Sequence, residues 1–435
     1  MKSLQVITLG CSKNTVDTER LLARLDGVYD ILPENWSGPA DILLVNTCGF
    51  IGDAKEESIQ TVLASAARKK AGEVGRLLVF GCLSQRYMGQ LPGLIPEVDG
   101  WFGARDQDPL IRSLGGRVGG DTGRRRTDSH AYAYLKISEG CDRRCAYCAI
   151  PLIRGPHKSV PIEELVKETE LLAGAGVKEL ILIAQDTTFY GLDLYRERKL
   201  AELIRRLSEV EGIEWIRIHY SYPADFPEDV LDEMASNPKV CKYLDIPLQH
   251  ISDKVLSKMR RQVDGAWTRK LVRELRDRIP GVALRTTMIV GHPGEGKRDF
   301  AELLDFVREA RFERLGAFMY SEEEGTFGAA NYRDRISRKE KNERLSELMS
   351  VKRDISLAFN QSRVATMERV LVDDYSDGVL VCRSSLESPD VDGEIVVRYD
   401  AGLFWGKTPE ELRGRFIDVK ITGADEYDLI AEPVK

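Results

Sequence analysis

Ser138-Glu139-Gly140-Cys141-Asp142-Arg143-Arg144-Cys145-Ala146-Tyr147-Cys148 decides how this chain is read. Three cysteines spaced Cys-x3-Cys-x2-Cys on one short loop can turn three thiolates toward one point. A structural zinc site closes with four ligands, and no fourth Cys or His follows at zinc spacing. The nearest candidate, His157, lies beyond a proline-bounded segment. An iron–sulfur cube held by three thiolates leaves one iron without a protein ligand, free to bind a substrate or cofactor. Ordinary thiols or a zinc knuckle are the plainer alternatives on spacing alone.

Outward from the loop, apolar runs alternate with helical ones. Strands are expected at Ala133–Ile137, Glu179–Ile183, Glu214–His219, Tyr243–Ile246, Ala283–Val290 and Leu315–Tyr320, and one helix opens at Pro161, where proline suits the first helical position. Six strand–helix units are too few for a closed eight-unit barrel. They predict a partial (β/α)6 barrel, open on one side, with its site at the carboxyl ends of the strands. The cysteine loop follows the first strand. Gln185 and Asp186, Gln249 and His250, Arg285 within its strand, and Gly291-His292-Pro293-Gly294-Glu295 add polar groups near strand ends. His219 reads as a satisfied buried histidine, and Cys241 and Cys382, with no partner at ligand spacing, as inert.

The first third repeats one design. Leu4–Leu9, Asp41–Thr47 and Leu77–Gly81 are short apolar runs that end at Cys11, Cys48 and Cys82, with helical stretches at Thr15–Leu25 and Asp53–Lys69. Such runs read as parallel strands of an α/β sheet, and ligands of these sheets gather beyond the carboxyl ends. Three cysteines at the same place in successive units would share one crevice, and three thiolates again suit a cube with an open iron. A lone cysteine there would be a small buried hydrophobe.

Between these parts, Gly115 to His130 turns to glycine and charge and reads as an exposed hinge, with Arg124-Arg125-Arg126 solvated. After the barrel, Arg338–Arg363 has helical spacing. Beyond it Glu368–Asp373, Gly378–Arg383, Glu394–Arg398 and Phe416–Ile421 alternate like strands of a small antiparallel barrel. That tail holds 16 acidic and 8 basic residues from Thr366 onward, a net −8. RNA binding needs a basic surface, so RNA contact through this acidic tail is not expected and a basic protein suits it better.

The whole chain has 435 residues, 43% hydrophobic and 31% charged, with a net charge of −7. This suits two or three domains with a sizeable core and argues against a nucleic-acid coat protein. Eight cysteines in such a length are too sparse for a disulfide scaffold, and a reducing cytoplasm is the expected setting. The apolar core before Cys11 is about six residues, short of the roughly 7–15 of a signal peptide, and no run reaches membrane-span length. The overall expectation is α/β: a parallel-sheet domain at 1–125, the partial barrel with its connecting helix at 130–365, and the small β-barrel at 366–435.

The cysteine loop, with Tyr147 before its last cysteine, resembles the signature of radical S-adenosylmethionine (SAM) enzymes. Gly10-Cys11-Ser12-Lys13-Asn14, Asn46-Thr47-Cys48 and Gly81-Cys82 resemble the amino-terminal domain of their methylthiotransferase family, and the tail resembles the OB-like TRAM module. Asp245–Ser252, Arg285–Gly291 and Ser388–Glu394 are most similar to the branch that modifies an aspartate of ribosomal protein S12. The resemblance implies two [4Fe–4S] clusters, one on Cys141, Cys145 and Cys148 that chelates SAM, and an auxiliary one on Cys11, Cys48 and Cys82. It also implies SAM contacts from Tyr147, Gln185, Gln249 and Arg285, and an electron-transfer protein of flavodoxin or ferredoxin type. The reaction implied is radical abstraction of hydrogen from the β-carbon of the S12 aspartate, then addition of a methylthio group. The rivals are a methylthiotransferase acting on tRNA adenosine (N6-isopentenyl or threonylcarbamoyl type) and a non-catalytic zinc protein that binds RNA.

Overall fold

The structure, a computed structural model, describes residues 1–119, 123–404 and 406–434. It divides into two compact units. The first comprises Met1–Asp128, Ser138–Lys158 and Glu323–Ala330; the second comprises Ser129–Ile137, Ser159–Glu322 and Asn331–Lys435. The cysteine loop, although it follows the first barrel strand in the chain, thus belongs to the same unit as the amino-terminal sheet.

In the first unit β1 (Lys2–Thr8), β2 (Tyr29–Leu32), β3 (Ala40–Thr47), β4 (Val74–Gly81) and β5 (Gly100–Trp101) form a parallel sheet in the order β2-β1-β3-β4-β5. The three central strands are the expected ones. They read as unbroken apolar runs because both faces are covered. Leu4, Val6, Leu44 and Phe80 face Leu21 and Leu22 of helix α1 (Ser12–Arg24). Leu43, Val45, Leu77 and Val79 face Val62 and Ala66 of helix α2 (Gly52–Lys70). The edge strands β2 and β5, four and two residues long, escaped the sequence reading because so short a run carries little pattern. A further helix, α3 (Cys82–Tyr87), starts at the last of the three strand-end cysteines.

The hinge expectation needs a correction at Arg124. Residues 120–122 of that stretch lie outside the described residues, but Arg124 is buried, its Nε donating to Glu19 Oε2 at 2.8 Å, and the Thr127 N–H donates to Glu19 Oε1 at 3.1 Å. The buried carboxylate of Glu19 needs a counter-charge, and Arg124 supplies it. Arg125 is the solvated member of the triplet and lies 3.4 Å from Asp26.

In the second unit β6 (Tyr132–Lys136), β7 (Glu179–Ile183), β8 (Trp215–Ile218), β9 (Val240–Asp245), β10 (Ala283–Val290) and β11 (Arg314–Met319) lie in sequence order, every neighbouring pair parallel. Six strands and an open sheet match the expected partial barrel. The helix after Pro161 spans Ile162–Gly174, with Pro161 at its N-cap, one place outside the first turn. The long helix spans Arg338–Ser362.

The tail closes as a barrel in the order β12 (Met367–Ser376), β13 (Val379–Arg383), β14 (Ile395–Arg398), β16 (Leu429–Pro433), β15 (Phe416–Ala424). It is not wholly antiparallel: β14 and β16 run parallel. Strand β16 was not foreseen, since Asp425-Glu426-Tyr427-Asp428 before it reads as loop.

Leu371 and Phe416 of this barrel pack against Trp215, Tyr243 and Ala283 of the six-stranded sheet. Buried charges tie the same two parts. Arg217 Nε donates to Glu179 Oε1 at 2.7 Å, Arg383 lies 2.8 Å from Glu179 Oε2 and donates to Asp373 Oδ1 at 2.9 Å. Arg314 donates to Glu387 at 2.7 Å, and Arg363 pairs with the same carboxylate. Burial opposes the charge on Glu387, but the two guanidiniums win and hold its pKa well below the usual carboxylate range. Two of the tail's acids, Asp373 and Glu387, are therefore internal counter-ions rather than surface charge.

Candidate functional site

The assembled triad comes from sheet register. Asn46 of β3 lies opposite Thr8 of β1 and Phe80 of β4, so the three chains leave the sheet level with one another. Cys11, Cys48 and Cys82 then follow at the carboxyl ends, Cys11 exposed and the other two buried. Their thiols are neighbours. Burial raises the Cys48 pKa and the Cys11 charge raises it further; burial pushes Cys82 up to about 11, with Cys48 and Cys11 adding and Arg154 opposing.

The backbone at these ends is shaped for close approach. Gly10 has φ +92°, and a Cβ there would stand 2.9 Å from Cys48 Sγ; Gly81 has φ +105°, and a Cβ there would stand 2.5 Å from the Thr47 carbonyl. Only glycine tolerates both the left-handed backbone and the contact. Asn14 Nδ2 donates to the Leu9 carbonyl at 2.7 Å, Asn46 Nδ2 to the Asn14 carbonyl at 2.9 Å, and the Cys48 N–H to Ser58 Oγ at 3.0 Å. The Asn46 bond ties the first turn to the second, and Thr47 Oγ1, donating to the Phe80 carbonyl at 2.7 Å, ties the second to the third.

The local triad is built by one loop. The Cys141 N–H donates to the Gly155 carbonyl at 3.1 Å, and the Cys148 N–H to the Cys145 carbonyl at 3.2 Å. Cys141 is buried and Cys145 and Cys148 are partly exposed. The Gly328 N–H donates to the Ala146 carbonyl at 2.7 Å, so the Glu323–Ala330 segment braces the loop. Its other end is held by Glu323, which accepts from Arg86 Nη1 at 2.7 Å and Lys55 Nζ at 2.8 Å. His157, the nearest candidate for a fourth ligand, is buried, and its N–H donates to Asp142 Oδ1 at 3.1 Å.

One side chain from beyond the local triad reaches the assembled one. Helix α4 (Ile150–Arg154) begins two residues after Cys148, and its Ala149 N-cap and Ile153 pack on Cys82. Arg154 is 4% exposed; its Nε donates to Cys82 Sγ at 3.2 Å, Nη1 to Asp17 at 2.6 Å and Glu139 at 3.1 Å, and Nη2 to Asn14 Oδ1 at 2.6 Å. Sequence reasoning missed it, because an arginine six residues past a cysteine carries no signal of its own.

Among the described residues no group of three His, Cys, Asp or Glu side chains is drawn together tightly enough for one metal ion. A cubane asks for less, one thiolate on each of three irons. Two sets of three thiols, one lined by close-approach glycines and touched by a cationic donor, fit that demand.

The other expected residues fall in the second unit, apart from Tyr147, which lies with the loop. Gln249 has φ +72°, is 8% exposed, and its Oε1 has no hydrogen-bond partner among the described residues, which leaves an acceptor for a ligand. Gln185 follows β7 and is partly exposed. Arg285 is already engaged, 3.0 Å from Asp245 and 3.8 Å from Asp392. Burial opposes its charge, but Asp245 leads the groups that raise its pKa. Asp186 caps the turn after it, and Glu295 accepts from Gly291 N–H at 2.8 Å and Arg344 at 2.6 Å, so both are structural. His219 is satisfied as expected, its Nε2 lying 2.9 Å from Ser388 Oγ. Cys241, whose burial pushes its pKa to about 12, and Cys382, also raised by burial, are inert thiols. Asp390 and Asp392 were missed as contacts. Tyr134 donates to the first at 2.6 Å and Tyr243 to the second at 2.7 Å.

Three family models match the chain: the Radical SAM superfamily over residues 135–307, Uncharacterized protein family UPF0004 over 3–103, and the TRAM domain over 364–434. The ribosomal protein uS12 methylthiotransferase RimO of Porphyromonas gingivalis is 50% identical, with 99% of each chain covered. That of Phocaeicola vulgatus is 47% identical, covering 99% of this chain and 98% of the relative. The chain belongs to the RimO family of methylthiotransferases. RimO membership makes it a radical SAM transferase dependent on [4Fe–4S] clusters and SAM. The solved radical SAM methyltransferase TsrM of Kitasatospora setae shares the fold at 14% identity and TM-score 0.55, over 95% of this chain and 83% of its own. Among the described residues no helix is long and apolar enough to cross a membrane.

Proposed function

We propose that this chain attaches a methylthio group to the β-carbon of an aspartate of ribosomal protein S12. The observation that carries the reading is the pair of thiol triads in one compact unit, within a chain about half identical along its whole length to S12 methylthiotransferases. Cys141, Cys145 and Cys148 are assigned to the cluster that meets SAM, and Cys11, Cys48 and Cys82 to the auxiliary one. Tyr147, Gln185 and Gln249 are assigned to SAM contacts. Arg285 is assigned there too, its guanidinium oriented by Asp245. The modules are assigned to 1–125, 130–365 and 366–435.

When bound, the first cluster supplies the single electron that makes SAM a radical source. The protein's own residues bind and place. The Gly155 and Cys145 carbonyls hold the loop backbone, Gln249 offers an acceptor, and Gly10 and Gly81 let Cys48 and Cys82 approach. Orientation of this kind is worth several powers of ten in rate. The reductant is a flavodoxin- or ferredoxin-type protein, and the setting is the cytoplasm, where ribosomes are assembled.

The test is anaerobic incubation of the reconstituted enzyme with SAM and, in parallel, purified S12 and total tRNA. Methylthio mass on an S12 aspartate peptide is expected. Methylthio nucleosides in tRNA with unmodified S12 would overturn the reading.

A further inference from the structure

We infer that Arg154 is a positioning residue of the auxiliary cluster, tuning its reduction potential through a hydrogen bond to the Cys82 thiolate. The inference rests on the ligand assignment of Cys11, Cys48 and Cys82 made above and extends it to a residue outside the triad. The side chain is buried, and its Nε points at Cys82 Sγ at 3.2 Å, while Asp17 Oδ2 and Asn14 Oδ1, each at 2.6 Å, clamp the other end of the guanidinium. Glu139 Oε2, 3.1 Å from Nη1, is a second carboxylate on the same guanidinium, which stays charged as arginine does in proteins.

A cation in a low-dielectric setting costs several kcal/mol unless its partners are well placed. Its partners are the Cys82 thiol, Asn14 beside it, and the carboxylates of Asp17 and Glu139. Helix α4 holds it there: Arg105 Nε donates to the Ile153 carbonyl at 2.9 Å and its Nη2 to the Leu152 carbonyl at 2.7 Å, pinning the last turn of the helix. Hydrogen bonds to ligand sulfur are among the terms that set an iron–sulfur potential, and partners behind the ligands tune the metal. A donor that is also positive stabilises the reduced, more negative state, so it raises the potential. Asp17, the carboxylate behind it, opposes this. Because Arg154 sits six residues after Cys148 in the chain, the loop of the local triad also positions the electrostatics of the other.

The test uses the full chain with Cys141, Cys145 and Cys148 changed to Ala, so that only the auxiliary cluster loads, poised against mediator dyes and read by electron paramagnetic resonance. In that background Arg154→Met should retain iron and move the midpoint potential to more negative values. Arg154→Lys, which keeps the charge without the Nε geometry, should fall between Met and Arg. Asp17→Asn should move it the opposite way, a sign that general loosening would not produce. Equal potentials in the parent, Arg154→Met and Asp17→Asn would overturn the inference, as would shifts of one sign in both. If Arg154→Met loads no iron, the Lys and Asn variants still give opposite displacements or refute it. Failure of the parent background itself to load iron would instead refute the ligand assignment.

Discussion

The two cysteine triads, proposed above as cluster ligands, gather their thiols by opposite means. Cys141, Cys145 and Cys148 fall within eight residues of one another, so a single loop brings them together. Cys11, Cys48 and Cys82 are spread over seventy-two positions and meet because β1, β3 and β4 are parallel, adjacent and in register. The local set depends on its loop and a brace at Ala146. The assembled set depends on a sheet with both faces buried, on glycines at two strand ends, and on Arg154 borrowed from beyond the other triad. The difference teaches that three thiols can be gathered by sequence spacing or by tertiary structure, and this chain does each once.

The comparison breaks most sharply under cysteine replacement. Cys141→Ala should abolish 5′-deoxyadenosine formation while on the order of four irons per chain remain, one cube's worth. Persistent SAM cleavage would put the local triad's role in error. Cys48→Ala should also fall from about eight to about four irons, yet keep cleaving SAM and yield no methylthiolated peptide. Loss of both activities together would mean that the triads are not separable.

Next in size is the buried network of the second unit. Glu179→Ala leaves Arg217 and Arg383 without their shared carboxylate and should cost about 3–5 kcal/mol in urea unfolding. Iron content of the folded protein should not change, because all six thiols of the triads belong to the other unit. A drop in iron would show that the triads lean on it.

A smaller effect follows from His292. Burial lowers its pKa from 6.5 to about 4, with His250 and Lys258 also lowering it and the Pro293 carbonyl and Glu295 opposing. Its folded state stays neutral where the unfolded chain takes a proton, so the unfolded state binds more protons between about pH 6.5 and 4. Stability should therefore fall as pH drops through that window, by about 3 kcal/mol in all. Chemical denaturation at a series of pH values checks this, and His292→Gln should flatten the slope. The least effect is expected from Gly10→Ala, which strains a left-handed turn by roughly 1–3 kcal/mol and should weaken only the assembled cluster. Iron retained by Gly10→Ala under chelator challenge, equal to wild type, would show that the strand-end glycine is dispensable.

Much of this was legible before any coordinates. The six barrel strands, the long helix and the central strands of the first sheet announce themselves because buried elements must be apolar at a fixed period. The cysteines of both proposed triads stood out too, one set by its spacing and one by a repeated design. What escaped was short or distant. Strands β2 and β5 have too few residues for periodicity, and β16 follows a polar run. Arg285 and Asp392 lie 107 positions apart, and Arg124 reads as solvated until Glu19 is seen beside it. The acidic tail looked like surface charge, yet Asp373 and Glu387 are buried counter-ions.

Sequence by itself determined most of the elements and pointed to the six thiols of the proposed triads, since hydrophobic period and side-chain chemistry are local properties of a chain. Only tertiary structure decided which charges are spent inside, that the loop of one triad belongs with the sheet of the other, and that Arg154 touches Cys82. Those are facts of proximity, and proximity between residues far apart in sequence is created by packing alone.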